Sequence, residues 1–352
     1  MPGNGTIHFT KKNLSAFLES FETEHKPHSI TIAAFAIFLS AISLILNGLI
    51  LIIICKSADL RRRISYICVA NISAVNTVLS LFVTPLAVHL ELEPEWKLGQ
   101  TSCAVWIIMD VLLPFVTISV LLFISADSLA SLTCNKFYRK HYTRKKAAVY
   151  LIVPWVLAIC GILPIWIAGA VSLPELDGKC IYGLKEGAAI LSPLITYFIP
   201  SICIILIMAI SLAIFLKQTD FEEDVGVTNT LKDQGTVADG KVMLEREIKH
   251  EVSTVRLFLA NSMFIAMWFP HQFVSILLTY CDECFPPYVV IVGFTWLGAF
   301  TSFVVPLAFL DSQIRWEVKL RFWKLYKRSK NNDQQHEENE SYLMESVTRT
   351  SV

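Results

Sequence analysis

The sequence predicts an all-α membrane protein: a bundle of seven transmembrane helices, with an eighth, amphipathic helix on the inner leaflet. Hydrophobic residues make up 54% of the 352 residues and charged residues only 17%, a balance too apolar for a soluble domain of this length. Runs of about 20 predominantly apolar residues, enough to cross a bilayer core of about 30 Å, occur seven times. Basic residues gather in alternate connections between these runs, as expected of a chain that crosses a membrane repeatedly.

The seven spans follow a polar start of the chain. Because the first span begins only after 29 residues, the N-terminus does not read as a cleavable signal peptide. Residues 1–29 are predicted to form an N-terminal tail and residues 30–311 the transmembrane domain. The predicted spans are Ile30–Cys55, Ser65–His89, Cys103–Leu132, Ala147–Ala170, Ala188–Leu216, Val252–Tyr280 and Pro287–Leu310.

The distribution of Lys and Arg predicts the orientation of the chain. Short loops rich in these residues stay on the cytoplasmic side. The basic residues of two such loops are Arg61, Arg62, Arg63, Lys136, Arg139, Lys140, Arg144, Lys145 and Lys146. The N-terminus is therefore predicted to be extracellular, with the protein in the plasma membrane.

The loops assigned to the outer side are acidic. Their carboxylates are Glu91, Glu93, Glu95, Glu175, Asp177, Asp282 and Glu283. An acidic outer mouth favours cationic ligands. Two glycosylation sequons, beginning at Asn4 and Asn13, lie in the predicted outer tail, and the alternative is that both are unused. The equal totals of 30 basic and 30 acidic residues give no reason to expect a nucleic-acid partner.

Three further segments are predicted on the cytoplasmic side. Residues 217–250 are polar, contain three glycines and read as a flexible third loop. Residues 312–330 alternate apolar and basic side chains, as in an amphipathic helix on the lipid surface. Residues 331–352 are predicted to be a disordered tail. Its end, Thr350-Ser351-Val352, resembles peptides that add a strand to a PDZ domain, and an inert tail is the alternative.

The nine cysteines divide by side of the membrane. Five fall in or near apolar or cytoplasmic segments, where reduced thiols are expected: Cys55, Cys68, Cys134, Cys160 and Cys203. Cys103 and Cys180 fall on the outer side, where oxidation is permitted, and are predicted to form a disulfide. Cys281 and Cys284, between the last two spans, are candidates for a second, very small disulfide ring.

Landmark residues along the spans carry a family resemblance. They are Asn47, Pro85, Trp96, Cys103, Trp155, Pro164, Cys180, Pro200, Phe264–Pro270 and Pro306. No single landmark is specific, but their order and spacing resemble the rhodopsin-like (class A) G-protein-coupled receptors over nearly all of the chain. The resemblance implies a receptor with a small-molecule ligand, and a heterotrimeric G protein, arrestin or both as partners. Within that family the sequence resembles the amine receptors, with a leaning towards the histamine group in "LRRRISY".

The amine resemblance depends on Asp110. This residue lies seven positions after Cys103, two turns down the third helix from the outer side. A carboxylate inside a membrane span is costly unless paired and is a functional hypothesis by default. The resemblance implies a ligand ammonium as its partner. The alternative is a hydrogen bond to a neighbouring helix. Trp106, one turn above, is placed to pack against a bound cation.

Other residues are predicted to line the same ligand site. They are Ser192, Thr196, Trp268, His271, Gln272 and Trp296. Each alone is as readily explained by packing, but together they predict an aromatic and polar cup. One departure from the resemblance is Ala299, at the position where amine receptors usually carry a tyrosine that holds the aspartate.

The inner half of the spans departs further from the family. The Asp-Arg-Tyr motif is here Asp127-Ser128-Leu129, and a serine can neither pair with Asp127 nor reach a G protein as the arginine does. Asn76 replaces a sodium-binding aspartate, so no metal site is predicted. Apolar residues replace polar ones at three more positions: Met208, Val305 and Phe309. These substitutions predict weak or unconventional G-protein coupling.

Other classes of protein fit the sequence less well. A retinal-binding opsin needs a lysine in the seventh span, which has none. A transporter would show repeated helix-breaking segments in two halves. No cluster of nucleophile, base and orienting residue indicates an enzyme, and no cofactor is predicted. The remaining alternative is a non-signalling receptor that acts as a ligand scavenger, heteromer partner or scaffold.

Overall fold

The computed structural model describes residues 11–93, 95–133, 144–171, 180, 183–229, 254–281, 286–310 and 314–319. The side chains of the first helix are described from Ile30 onward. The chain divides into two units, residues up to Phe309 and residues from Leu310. In the second unit, residues 314–319 are helical, inside the predicted amphipathic segment. The predicted tail 331–352 and its C-terminal motif lie outside the described residues.

Seven long helices form the first unit, which confirms the predicted all-α fold. α1 is Lys11–Lys56. α2 is Ile64–Leu92 and contains a π-helical turn, Leu79–Val83. α3 is Gln100–Thr133 and α4 is Arg144–Gly169. α5 runs through Glu186–Pro193, the π-helical turn Leu194–Phe198 and Ile199–Asn229. α6 is Thr254–Tyr280, and α7 consists of Tyr288–Ala299 and Thr301–Ala308.

Within the described residues, the connection between α4 and α5 contains one short antiparallel pair of strands. β1, Ala170–Val171, pairs with β2, Gly183–Leu184, so that Ala170 lies opposite Leu184. Several helices extend past the predicted spans: α1 begins at Lys11 rather than Ile30, and α5 continues into the predicted third loop as far as Asn229. At about 1.5 Å per residue α1 is about 69 Å long, more than twice the bilayer core, so only part of it lies in lipid.

Within the described residues, six of the seven helices are long and apolar enough to cross a membrane. The qualifying segments are Ile30–Lys56, Ile64–Leu92, Gln100–Thr133, Ala148–Gly169, Gly187–Ile214 and Val289–Ala308. α6 is equally long, but its hydropathy is lowered by Asn261, His271 and Gln272. Large apolar side chains such as Phe38 and Ile167 point outward, being 61% and 78% exposed in the protein alone. Such a surface suits lipid rather than water.

A buried cluster of serine and asparagine side chains joins α1, α2 and α7. The amide of Asn47 donates to the carbonyl oxygens of Ser43 and Ser302, at 2.8 and 3.0 Å. Asn76 donates to Asn47 Oδ1 at 3.3 Å, and the Ser80 hydroxyl lies 3.2 Å from that of Ser43. Because water is absent from the bilayer core, these bonds satisfy polar groups that would otherwise be costly. We call these five residues the serine–asparagine cluster.

α3 is the central helix of the bundle and packs against α2, α4, α5 and α6. Its buried face is apolar, with Leu113, Val116 and Val120 fully enclosed. α2 is tied to α4 by Asn71, which donates to the Leu151 carbonyl at 3.1 Å and accepts from Trp155 Nε1 at 2.9 Å. This packing places the two carboxylates of α3, Asp110 and Asp127, at either end of the apolar core.

We expect Asn47→Ala to lower the stability of the bundle by about 2 kcal/mol, because three hydrogen bonds at about 0.6 to 1 kcal/mol each are lost inside the membrane. The measurement is thermal unfolding of the purified protein in lipid nanodiscs. Ser40→Ala, which removes one bond to the Ser80 carbonyl, is the matched control and should cost a third as much. An unchanged midpoint for Asn47→Ala would show that the cluster does not hold the three helices together.

Candidate functional site

The disulfide end of the bundle is fixed by covalent and aromatic contacts. Cys103, on α3, is bonded to Cys180, which confirms the predicted pairing. Trp96 packs against this disulfide, stacks on Trp106 with ring centroids 5.9 Å apart, and donates to the Gly99 carbonyl at 2.7 Å. Gly99 has a φ of 87°, a conformation that favours glycine. The start of α3 is thereby held in one position.

An ion pair at the surface borders this end. Lys97 donates to Glu93 at 3.1 Å, and both side chains are exposed. The hydrogen bond from Lys97 lowers the pKa of Glu93, and the same bond raises the pKa of Lys97. Because the pair is solvated, it contributes little to stability.

Asp110 lies on α3, one turn below Trp106, and is partly buried. No hydrogen bond or ion pair joins its carboxylate to another of the described residues. The alternative that it bonds to a neighbouring helix therefore finds no support in the described part of the chain. A carboxylate at this depth without a partner is the chemical feature that a cation satisfies best.

The predicted hydroxyls of α5 are both buried. Ser192 lies in the last turn before the π-helical segment and Thr196 within it, and they are 7% and 8% exposed. Next to Thr196, Tyr197 donates to the backbone carbonyl of Ile265 on α6. A hydrogen bond therefore connects this part of α5 to α6.

The aromatic residues of α6 form one group. Trp268 Nε1 donates to the hydroxyl of Thr301 on α7 at 3.1 Å. A Cβ added to Gly298 would lie 2.8 Å from the Trp268 ring, so α7 approaches this ring closely. His271 meets Trp268 edge-on at 5.7 Å, and its buried Nδ1 has no partner within the described part of the chain. Gln272, the next residue, is partly buried.

Trp296, on α7, makes contacts with α1 and α2. Its indole nitrogen donates to Glu91 Oε1 on α2 at 3.4 Å, and its ring packs against Ala33, Ala36 and Val88. Trp106 is similarly engaged, donating to the Val83 carbonyl on α2 at 3.0 Å. Both tryptophans therefore make interhelical contacts with α2.

At the opposite end of α3, Asp127 is buried and hydrogen-bonded. Tyr150, on α4, donates to its carboxylate at 2.9 Å, and the Tyr150 ring meets Phe123 edge-on at 5.8 Å. The sequence shows that no arginine follows Asp127, but it did not identify Tyr150 as the partner of this carboxylate. Ser128, at the arginine position, is partly buried and its carbonyl accepts from Ser131 at 2.7 Å.

The other altered positions are built into the core. Asn76 belongs to the serine–asparagine cluster and brings no charge to it. Val305 and Phe309 are each 1% exposed, and Met208 is partly buried on α5. Among the described residues, Val305, Phe309 and Met208 therefore fill their positions by packing, whereas Asn76 is hydrogen-bonded.

A second contact that the sequence did not reveal joins α3 to α6. Asn261 donates to the Ser125 hydroxyl at 2.9 Å, and both residues are fully buried. Ser125 has one hydroxyl proton, which it donates to the Leu121 carbonyl at 2.7 Å, so it can only accept from Asn261. Asn261 Oδ1 is buried without a partner among the described residues. An isolated polar residue in an apolar run is the only sequence signal for this contact.

Some predicted sites fall outside the described side chains. Asn4 lies outside the described residues, and Asn13 falls in α1 before its side chains are described. Cys281 is disulfide-bonded, whereas Cys284 lies outside the described residues. Glycosylation and the partner of Cys281 stay predictions. No group of three or more His, Cys, Asp or Glu residues suited to a metal ion occurs in the part of the chain that was described.

The fold and the site define a seven-helix membrane receptor. The family model for the seven-transmembrane receptors of the rhodopsin family matches residues 46–309. The chain belongs to this family, whose members are receptors rather than enzymes. Membership implies a multi-pass protein of the plasma membrane.

The chain is similar to several amine receptors. It is 24% identical to the human alpha-1D adrenergic receptor over 68% of this chain and 47% of that protein. It is 22% identical to the rabbit (Oryctolagus cuniculus) 5-hydroxytryptamine receptor 1B over 79% and 81%. It is 23% identical to the octopamine receptor beta-2R of Chilo suppressalis over 75% and 71%. The chain spans about half the length of the adrenergic receptors that it matches. These relatives confirm an amine-receptor-like character, and the leaning towards the histamine group stays a prediction.

We expect Tyr150→Phe to destabilise the protein by about 1 to 3 kcal/mol, because it removes a hydrogen bond from a buried carboxylate. Adding Asp127→Asn should cost less in the Tyr150→Phe background than in the unmodified protein, since the two groups are coupled. Thermal unfolding of the four proteins in nanodiscs measures the coupling. Thr133→Val, at an exposed hydroxyl of the same helix, serves as the control, and strictly additive losses would contradict a functional Tyr150–Asp127 pair.

Proposed function

We propose that this protein is a plasma-membrane receptor, with its N-terminus and disulfide end outside, that binds a small cationic amine through Asp110. The observation that carries the proposal is the carboxylate of Asp110, inside α3 and without a hydrogen-bonding partner among the described residues. In the interior of a membrane protein such a group is costly, and a ligand ammonium would compensate it through a charge-assisted hydrogen bond. The names of the similar receptors, for adrenergic ligands, 5-hydroxytryptamine and octopamine, support an amine as the ligand.

The remaining predicted site residues have separate proposed roles. Ser192 and Thr196 offer buried hydroxyls to the polar end of a ligand. His271 and Gln272 offer hydrogen-bonding groups beside the Trp268 ring. Trp106 and Trp296 act as walls whose positions are fixed by their bonds to α2. This arrangement places fixed aromatic surface around a few polar groups, as in most small-molecule sites.

The proposed output is weak or unconventional G-protein coupling. Asp127 is bonded to α4 through Tyr150, so it is engaged with a helix other than α6. α6 is bonded to α3 through Asn261 and to α7 through Trp268. A ligand shifts the balance between two arrangements only if it contacts them differently. The apolar residues Val305 and Phe309 offer no alternative polar partners for a second arrangement.

The same substitutions favour a second candidate function. A receptor that binds its ligand but does not signal can act as a scavenger, a heteromer partner or a scaffold. Binding and signalling measured separately on one preparation distinguish the two functions. We also propose arrestin as a partner and glycosylation at Asn4 and Asn13, from the sequence alone.

We expect Asp110→Asn to weaken the binding of a cationic amine at least 10-fold, about 1.4 kcal/mol, because the charge that attracts the ammonium is removed. The measurement is equilibrium binding of 5-hydroxytryptamine, octopamine and phenethylamine to purified receptor in nanodiscs. Glu93→Gln removes an exposed carboxylate at the disulfide end. It should change affinity less than 2-fold, because salt and water screen the attraction between an exposed charge and the ligand. Equal affinities for the unmodified protein and Asp110→Asn would contradict the proposal.

For the output, we expect little agonist-driven nucleotide exchange on any G protein by the unmodified receptor. Ser128→Arg alone should add little, since an arginine needs partners in both arrangements. Ser128→Arg with Met208→Tyr, Val305→Asn and Phe309→Tyr should add more than the sum of the single changes, because coupled groups are not additive. Exchange is measured on purified receptor with each G protein at matched receptor concentration. Robust exchange by the unmodified protein would overturn the proposed output and leave amine binding untouched.

A further inference from the structure

The indole N–H groups of the predicted site are already engaged elsewhere. Each indole nitrogen of the predicted site donates to another acceptor: Trp106 to the Val83 carbonyl, Trp268 to Thr301, and Trp296 to Glu91. The Thr301 hydroxyl in turn donates to the Gly298 carbonyl, at 2.6 Å. The described part of the chain thus supplies no hydrogen bond to the Asp110 carboxylate.

Two hydroxyls, one on α3 and one on α7, are engaged as well. Thr117, two turns further along α3, donates to the Leu113 carbonyl at 3.2 Å. Thr295, on α7, donates to the Ile291 carbonyl at 3.0 Å. Each bonds within its own helix, so neither is available to the carboxylate. Since no described residue donates to Asp110, a bound ligand would supply the hydrogen-bond donors for this carboxylate.

Two of the aromatic rings are also packed against other side chains. Trp106 stacks on Trp96, with an interplanar angle of 28°. Trp268 lies against Gly298 on α7 and contacts Phe264 and His271. A cation without N–H groups is best held by several free aromatic faces in a cage. Rings whose faces pack on other residues favour recognition by hydrogen bonds to the carboxylate instead.

The number of N–H groups on the cation then decides how well it satisfies Asp110. A carboxylate has about four lone-pair directions. A primary ammonium has three N–H donors, and a guanidinium has a planar fork of donors that matches both carboxylate oxygens. A dimethylammonium has one N–H donor, and a trimethylammonium has none. Because unsatisfied acceptors are costly in a buried site, each missing donor weakens binding.

We propose that the Asp110 site selects cations with several N–H donors, primary ammonium or guanidinium, over dimethylammonium and trimethylammonium groups on the same skeleton. The inference rests on the proposed amine-binding function and names the class of ligand head group within it. It makes Asp110 a specificity-determining residue through hydrogen-bond number as well as charge.

The test uses four ligands that differ only in the cation. They are phenethylamine, N,N-dimethylphenethylamine, trimethyl(phenethyl)ammonium and phenethylguanidine, each titrated into the full-length receptor in nanodiscs. The primary amine and the guanidine should bind at least 10-fold more tightly than the dimethyl amine, and the trimethyl cation should bind most weakly. Equal or tighter binding of the methylated cations through Asp110 would overturn the inference while leaving the proposed function in place. If Asp110→Asn affects none of the four, or if none binds, both fail.

A pair of variants separates donor number from the size of the methyl groups. Ala299→Tyr adds a phenolic donor at the α7 position where the family resemblance expects a tyrosine that holds the aspartate. It should reduce the preference for primary over dimethyl amine at least 3-fold. Ala299→Phe adds the same ring without the hydroxyl and should leave the preference unchanged. An equal reduction by both variants would show that space, not donor number, sets the selectivity, and would contradict the proposal.

Discussion

The side-chain amide of Asn47 makes the hydrogen bonds on which the arrangement of the bundle depends. In lipid a polar group can be satisfied only by another protein group, and Asn47 uses both ends of its side chain for this, donating to Ser43 and Ser302 and accepting from Asn76. Because every member of the serine–asparagine cluster is neutral, the cluster joins α1, α2 and α7 without a charge of its own.

α6 is bonded to this framework in a different way. It accepts from Tyr197 on α5, donates from Asn261 to Ser125 on α3, and donates from Trp268 to Thr301 on α7. Any movement of α6 must break or exchange these contacts. The unsatisfied oxygen of Asn261 reduces the net gain of its bond, since a buried acceptor without a partner is costly. The restraint on α6 is thus spread over three helices, and the α3 contact contributes less than its geometry suggests.

The sequence predicted the helices, the Cys103–Cys180 disulfide and the family because each leaves a periodic or fixed-spacing signal. It did not predict Tyr150 as the partner of Asp127, since two residues on different helices meet only after packing. It also predicted Trp296 as a residue of the ligand site from its position on the seventh span, without the contact that Trp296 makes with Glu91 on α2. Which way an indole turns is decided by the nearest acceptor, and the acceptor lies on another helix. Composition and spacing contain no information on that choice.

The two carboxylates of α3 lie 17 residues apart, about 25 Å along the helix, and differ in their hydrogen bonding. Asp127 is already satisfied by Tyr150, whereas Asp110 receives no hydrogen bond from any described residue. Ligand binding at Asp110 would satisfy a group on α3, a helix enclosed by its neighbours. The three bonds of α6 would then be the same before and after binding, unless the ligand also contacts α6 at His271 or Gln272. On the proposed function, affinity and output are therefore separable: the charge of Asp110 would determine whether a cation binds, and contacts with α6 would determine whether binding changes the bundle.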